Sequence, residues 1–246
     1  MRPFWISIFF SLTLTPSWAV LSAKSLPSNA LDIKTSIGTF RGIANQTDNL
    51  EIWRGIPFAQ PPVGNLRFKA PVSITTPFKD IQDASQFGAA CPQPSSSSLG
   101  NVPISEDCLM LNVFRPSGTT SGDKLPVLVW MYGGTYNIGA ASDPTFNPTF
   151  LINRSLQIGK PIIFVSLNYR INTFGFLANS LMAPEDLNAG LLDQRAAFMF
   201  VQNEIAAFGG DPEKSAGGGS VEAHVVFPAQ VPLFRAGIAD SSAGPL

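Results

Sequence analysis

Charge is what this 246-residue sequence has least of. It carries 16 Lys plus Arg and 17 Asp plus Glu, 13% of the chain with a formal net charge of -1, against roughly a quarter of residues in ordinary soluble domains. So few cations, balanced by acids, leave no broad basic face for a phosphate backbone, and no nucleic-acid partner is expected. No apolar run reaches the roughly 20 residues that a membrane-spanning helix needs. Cysteine is limited to Cys91 and Cys108, which allows at most one intrachain disulfide, and His224 is the single histidine, so any imidazole chemistry must use it. What is abundant is apolar and turn-forming: 45% hydrophobic residues, 21 Gly and 21 Pro. That balance excludes a disordered tail and favours a turn-rich fold with a large buried core, as one large domain or two small ones.

The N-terminus has a processing pattern. Arg2 precedes an apolar run from Phe4 to Leu14, and small residues stand at Ser17 and Ala19. This is the layout of a secretory signal peptide over residues 1–19, with 20–246 as the mature domain; the run is too short for a membrane anchor. In an oxidising compartment, Cys91 and Cys108 suggest a disulfide closing a loop of about 17 residues, for which loop entropy gives about 3 kcal/mol. Two unpaired structural thiols are the alternative. Asn45-Gln46-Thr47 and Asn153-Arg154-Ser155 are glycosylation acceptor sequences, which gain meaning behind a signal peptide.

Along the mature chain, short apolar-alternating pieces between Leu31 and Trp53 read as hairpin strands. A proline-rich stretch from Gly55 to Pro103 reads as extended loop, yet Phe58, Leu66 and Phe68 within it belong to a core, so no domain boundary falls there. Two continuous apolar runs follow, Leu125 to Tyr132 and Pro161 to Leu167, as in parallel strands buried on both faces. Gly190 to Phe208 has helical periodicity and ends at Gly209-Gly210. A glycine-rich helix or turn is expected from Ser215, and a short strand around Ala236 to Asp240. Strand, crossover and strand in this order predict an α/β sheet.

Two segments have chemistry in view. Tyr132-Gly133-Gly134-Thr135 follows a buried strand, where open α/β sheets bind ligands. Glycines there let backbone N–H groups face an oxyanion, although Gly-Gly after a strand also serves as a plain turn. Ser215 precedes Ala216, Gly217 and Gly218, small residues of the kind a nucleophile elbow requires.

Several longer stretches carry a family pattern: Phe58 to Phe68 (FAQPPVGNLRF), Glu106 to Asn112 (EDCLMLN), Leu167 to Arg170 (LNYR), Gly190 to Arg195 (GLLDQR) and Phe208 to Pro212 (FGGDP). In this order they resemble the type-B carboxylesterase/lipase family, fungal branch, over nearly the whole mature chain. The resemblance implies an α/β-hydrolase fold, a secreted serine hydrolase of carboxylic esters without metal or organic cofactor, and a Cys91–Cys108 disulfide. Small-molecule or lipid esters are the implied substrates. By the same resemblance Ser215 matches the nucleophile, and Gly134, Thr135 and Ala216 match the oxyanion-hole donors. Thr135 stands where the family has a third glycine, so a positive φ there would strain it.

The sequence also departs from the family. Lys214 runs straight into Ser215, without the buried strand and first glycine of Gly-x-Ser-x-Gly. Asp211, Pro212, Glu213 and Lys214 are poor material for a central parallel strand, so none is expected between Gly210 and Ser215. The family order of serine, acid and histidine needs partners well downstream, and only Glu222, His224 and Asp240 remain. Nine helical residues would put His224 about 13 Å from Ser215, beyond hydrogen-bond reach, so it reads as structural. Lys214 is no substitute base, since adjacent side chains point apart. The expectation is an incomplete α/β-hydrolase domain, the N-terminal portion of a longer esterase, inactive or nearly so. A non-catalytic secreted binding module and a product without function are the alternatives.

Overall fold

A computed structural model describes residues 31–94, 102–217 and 221–239, with backbone only for 214–217 and 221. The expected signal peptide, the Ser95–Ser98 run and Asp240 lie outside the described residues. Strands β1 (Asp32–Thr35), β2 (Gly38–Arg41), β3 (Ile43–Asn45) and β4 (Leu50–Pro57) begin the fold, followed by the two-residue β5 (Gln82–Asp83), β6 (Met110–Pro116) and β7 (Leu125–Met131). Helix α1 (Thr149–Gln157), strand β8 (Ile163–Leu167) and helices α2 (Asn172–Phe176) and α3 (Ala189–Glu204) come next. Strand β9 (Gly210–Gly217), helix α4 (Val221–Val226) and strand β10 (Ala236–Gly237) complete the order.

The strands form a small sheet, β1-β2-β5, and a seven-stranded sheet ordered β10-β9-β7-β8-β6-β4-β3. In the large sheet β3, β4, β6 and β8 pair antiparallel, whereas β8, β7, β9 and β10 run parallel. The two apolar runs form the parallel neighbours β7 and β8, but the expected burial on both faces holds for β8 only: β7 buries Val127, Val129 and Met131 and leaves Pro126 exposed and Leu128 and Trp130 half-buried. Every residue of β8 is buried. From β7 the chain goes to β8 on one side and then to β9 on the other, so the winding reverses at β7. The carboxyl ends of β7 and β9 therefore flank the crevice at which open α/β sheets place ligands.

Helix α3 covers the sheet. Its Ala197, Phe198, Phe200 and Val201 are buried in one cluster with Val127, Val129 and Met131 of β7 and Ile163, Val165 and Leu167 of β8. Gly190 allows the close approach: a Cβ there would meet the Arg170 carbonyl at 2.3 Å. The helix is fixed to the end of β8 by a buried ion pair, with Arg170 Nε and Nη2 each 2.7 Å from Asp193 carboxylate oxygens and the Arg170 N–H donating to Oδ2 at 3.0 Å. Burial pushes the Asp193 carboxyl up, and the Arg170 guanidinium opposes it. Gly209 closes the helical region at φ 90°, a left-handed stop that suits glycine.

Two expectations need correction. A strand does follow Gly210, and Ser215 opens no helix. The physical reason lies in the pairing. β9 meets β7 at Leu125↔Gly210 and then at Val127↔Ser215, Leu128↔Ala216 and Val129↔Gly217, with a register shift between the two places. Asp211 to Lys214 thus stand opposite Pro126 alone, bulged out of the ladder, while Gln202 Nε2 donates to the Pro212 carbonyl at 2.8 Å. The charged and proline residues do not make the ladder; the small residues behind them are drawn in to make it.

Cys91 and Cys108 are joined in a disulfide and fully buried. Replacing Cys108 by Ser frees a loop of 17 residues and should cost about 3 kcal/mol, lowering the melting temperature by about 6–12 °C in calorimetry. An unchanged melt would mean the clip constrains nothing.

Candidate active site

At the carboxyl end of β7 the chain turns through Tyr132, Gly133, Gly134 and Thr135. The turn is held from beneath by a reciprocal tyrosine pair. Tyr132 and Tyr169 stack with ring centroids 4.6 Å apart, the Tyr132 hydroxyl donates to the Tyr169 carbonyl, and the Tyr169 hydroxyl donates to the Tyr132 carbonyl, both at 2.8 Å. Burial raises both phenols above their ordinary range, so neither ionises near neutral pH. The pair clamps the ends of β7 and β8 together. The two tyrosines stand in separate motifs, and nothing local in the sequence says that they meet.

Gly134 has φ 121°, and a Cβ there would lie 2.1 Å from the Ile138 carbonyl oxygen, so only glycine fits. Thr135 has φ 53° and Tyr136 φ 60°. The strain foreseen for a β-branched residue is therefore present, offset in part by the Thr135 hydroxyl, which donates to the Gly134 carbonyl at 2.8 Å. Among the described residues no acceptor takes the N–H of Gly134 or Thr135. Two free donors in an open turn at the switch point are suited to an oxygen carrying negative charge.

The remaining candidates lie elsewhere. Ser215 pairs with Val127 and Ala216 with Leu128, whereas Gly133 comes six residues after Val127. At about 3.3 Å per strand residue, the Ser215 backbone lies about 13 Å short of the end of β7 at Met131, beyond which the glycine turn begins. The structure brings Gly134 and Thr135 together and leaves Ser215 and Ala216 in the body of the parallel ladder.

His224 sits in α4 and is 4% exposed. Arg195 Nε donates to its Nδ1 at 3.4 Å, which leaves Nε2–H to donate to Gln194 Oε1 at 2.8 Å. Its ring meets Phe198 edge-on at 5.4 Å. Burial, assisted by the Arg195 charge, pulls it down to about 4. Both nitrogens are occupied by α3, so the imidazole acts as a packed neutral group. Asn45 holds Asp48 through two hydrogen bonds, at 2.7 and 3.2 Å, and Asn153 lies within α1.

Residues 29–244 match the family model described as the carboxylesterase family. The chain is 41% identical over 222 residues to a para-nitrobenzyl esterase of Bacillus subtilis, a match covering 86% of this chain and 43% of that protein. It is 38% identical over 203 residues to an inactive carboxylesterase-like protein, VdtD, of Byssochlamys spectabilis, covering 77% and 34%. Among solved structures, a thermophilic para-nitrobenzyl esterase superposes with a TM-score of 0.75 at 37% identity, covering 84% of this chain and 43% of that one. The chain therefore spans less than half the length of these proteins, and its architecture is a partial α/β-hydrolase fold.

Two measurements probe this geometry. Thr135→Gly should relieve the left-handed strain and gain about 1 kcal/mol, raising the melting temperature by about 3 °C; a loss would show that the turn is unstrained. His224 has a folded pKa below its unfolded value of about 6.5, so its contribution to stability is complete above pH 6.5 and disappears as pH falls towards 4. Urea midpoints at pH 7.5 and 4.5 should show that His224→Gln removes on the order of 2 kcal/mol of that pH dependence. Equal slopes for both proteins would contradict the buried neutral ring.

Proposed function

Since the chain belongs to the carboxylesterase family, we propose that it is a serine carboxylesterase by descent, secreted, which retains the oxyanion-binding turn but does not turn over esters. In the implied chemistry a serine hydroxyl attacks the ester carbonyl, a neighbouring base takes its proton, the alcohol leaves, and water releases the acid. This needs the hydroxyl, the base and the oxyanion donors within hydrogen-bond reach of one reacting carbon. Gly134 and Thr135 supply donors; the other two parts are displaced.

The register Val127↔Ser215 carries the reading. A serine about 13 Å below the end of β7 cannot share a carbonyl with donors beyond that end, and the chain's only histidine is engaged by Gln194 and Arg195. Loss of serine or histidine from a comparable triad costs on the order of 10⁶ in turnover, about 8 kcal/mol of barrier. Free N–H donors alone recover a small part of that. The notion of a non-catalytic ester-binding protein is favoured as a second reading by the relative named an inactive carboxylesterase-like protein and by the continuous core beneath the turn. In that reading the turn holds an ester or carboxylate oxygen without cleaving it.

Labelling with a fluorophosphonate probe separates an armed serine from a structural one. The 246-residue chain should take up no stoichiometric label, judged by intact mass; full modification at Ser215 would overturn the proposal.

A further inference from the structure

A cavity of about 190 Å³ opens on the face of the large sheet turned away from α3. Ile52 of β4, Phe114 of β6 and Ser166 of β8 form its floor, and they alternate with Trp53, Val113 and Val165 of the core beneath α3. Phe87 and Phe146 add apolar walls. At roughly 30 Å³ per water the space equals about six waters, so it suits a molecule of about six heavy atoms and is too small for the drug-sized ligands that fill roughly 300 Å³ or more. None of Gly133, Gly134 and Thr135 lines it, so the site stands apart from the oxyanion question.

The wall carries charges of both signs that do not meet. Arg54 is its one cation, and Asp48 and Asp143 are its acids, yet among the described residues Arg54 forms no ion pair with either. Arg54 lies over the Phe87 ring instead, with Cζ 4.6 Å from the centroid, and its side chain has a single acceptor among the described residues, the Ser85 carbonyl at 3.4 Å from Nη1. Its Nε is closed to solvent without an acceptor, as is Ser142 Oγ on the same wall. The outer Nη2 is left to find an anion. Asp143 is 8% exposed. The Thr145 N–H at 2.9 Å and the Thr145 hydroxyl at 2.7 Å both donate to its Oδ1, and no described residue donates to Oδ2. Asp48 receives Asn45 Nδ2 on Oδ2 alone, at 2.7 Å. Pro148 and Thr149 bring the N-terminal end of α1 to the wall, where the helix dipole adds to the positive side.

A guanidinium with an open edge and a buried carboxylate with an open oxygen each cost free energy that a partner of opposite sign recovers. A simple anion would answer Arg54 and be repelled by the two acids. A simple cation would answer the acids and be repelled by Arg54. A neutral apolar molecule would leave both unanswered. We propose that this cavity binds a small zwitterion, an amino acid that carries its ammonium and carboxylate on a short carbon chain. The carboxylate meets Arg54 Nη2, the ammonium meets Asp143 Oδ2 and Asp48 Oδ1, and the chain packs on Ile52, Phe114 and Phe146.

Isothermal titration of the full chain tests it with glycine, β-alanine and 4-aminobutyrate, which step the distance between the two charges, beside propionate and propylammonium chloride, which carry one charge each. At least one of the three zwitterions should bind saturably and at least about tenfold more tightly than either single-charge probe, and Arg54→Gln and Asp143→Asn should each weaken it by at least about tenfold. Asparagine keeps the oxygen that Thr145 uses, so the second change removes charge and leaves that turn its acceptor. No saturable binding of any zwitterion, a single-charge probe that binds as tightly, or variants that bind as before would overturn the proposal. If a variant lacks a cooperative melt, the comparison of probes on the unaltered chain decides alone.

Discussion

The pairing of β9 with β7 is the constraint on which the rest of the molecule turns. A strand inside a sheet needs hydrogen-bonded neighbours along both edges, and β7, with β8 along one edge, takes β9 along the other. The residues available after the Gly209 stop are Asp211, Pro212, Glu213 and Lys214, which cannot provide continuous ladder partners. The sheet accepts a bulge and takes Ser215, Ala216 and Gly217 instead. Small residues fit there as well as they fit an elbow, because both places demand close backbone approach. The same feature that would admit a serine to a tight turn admits it to the ladder, and pairing energy decides between the two.

Scaffold and chemistry separate cleanly in this arrangement. The Tyr132–Tyr169 clamp, the Arg170–Asp193 pair and the buried disulfide all lie on the β6-β8-β7 side of the sheet or on the helix above it. None of them depends on where Ser215 sits. The Gly134–Thr135 turn, built on those supports, keeps its free N–H donors. Ser215, on β9, pairs opposite Val127 in the ladder.

Much of this was legible in the sequence where one physical effect dominates locally. The apolar run of β8 states its own burial, and α3 states its glycine stop. The strain at Thr135 follows from chemistry alone once the turn is located. Other features depend on partners far along the chain. β6 was not foreseen as a strand because Asn112 and Arg115 interrupt its pattern; their places are made by Ser166, by the Glu51 carboxylate and by the Phe208 carbonyl. Helix α1 exposes Phe150, Leu151 and Leu156, so its apolar residues do not mark a buried face. The reading of Asp211 to Lys214 as unfit for a ladder was sound chemistry, but sequence alone could not show that the strand would slide to the next residues.

Amide hydrogen exchange, resolved residue by residue, tests the register most directly. With this register the Ser215, Ala216 and Gly217 amides should be protected to the same degree as those of Val127, Leu128 and Val129, the residues opposite them. Fast exchange at Ser215, at the rate of the open Gly133–Thr135 turn, would mean that the serine stands free on an elbow and would contradict it.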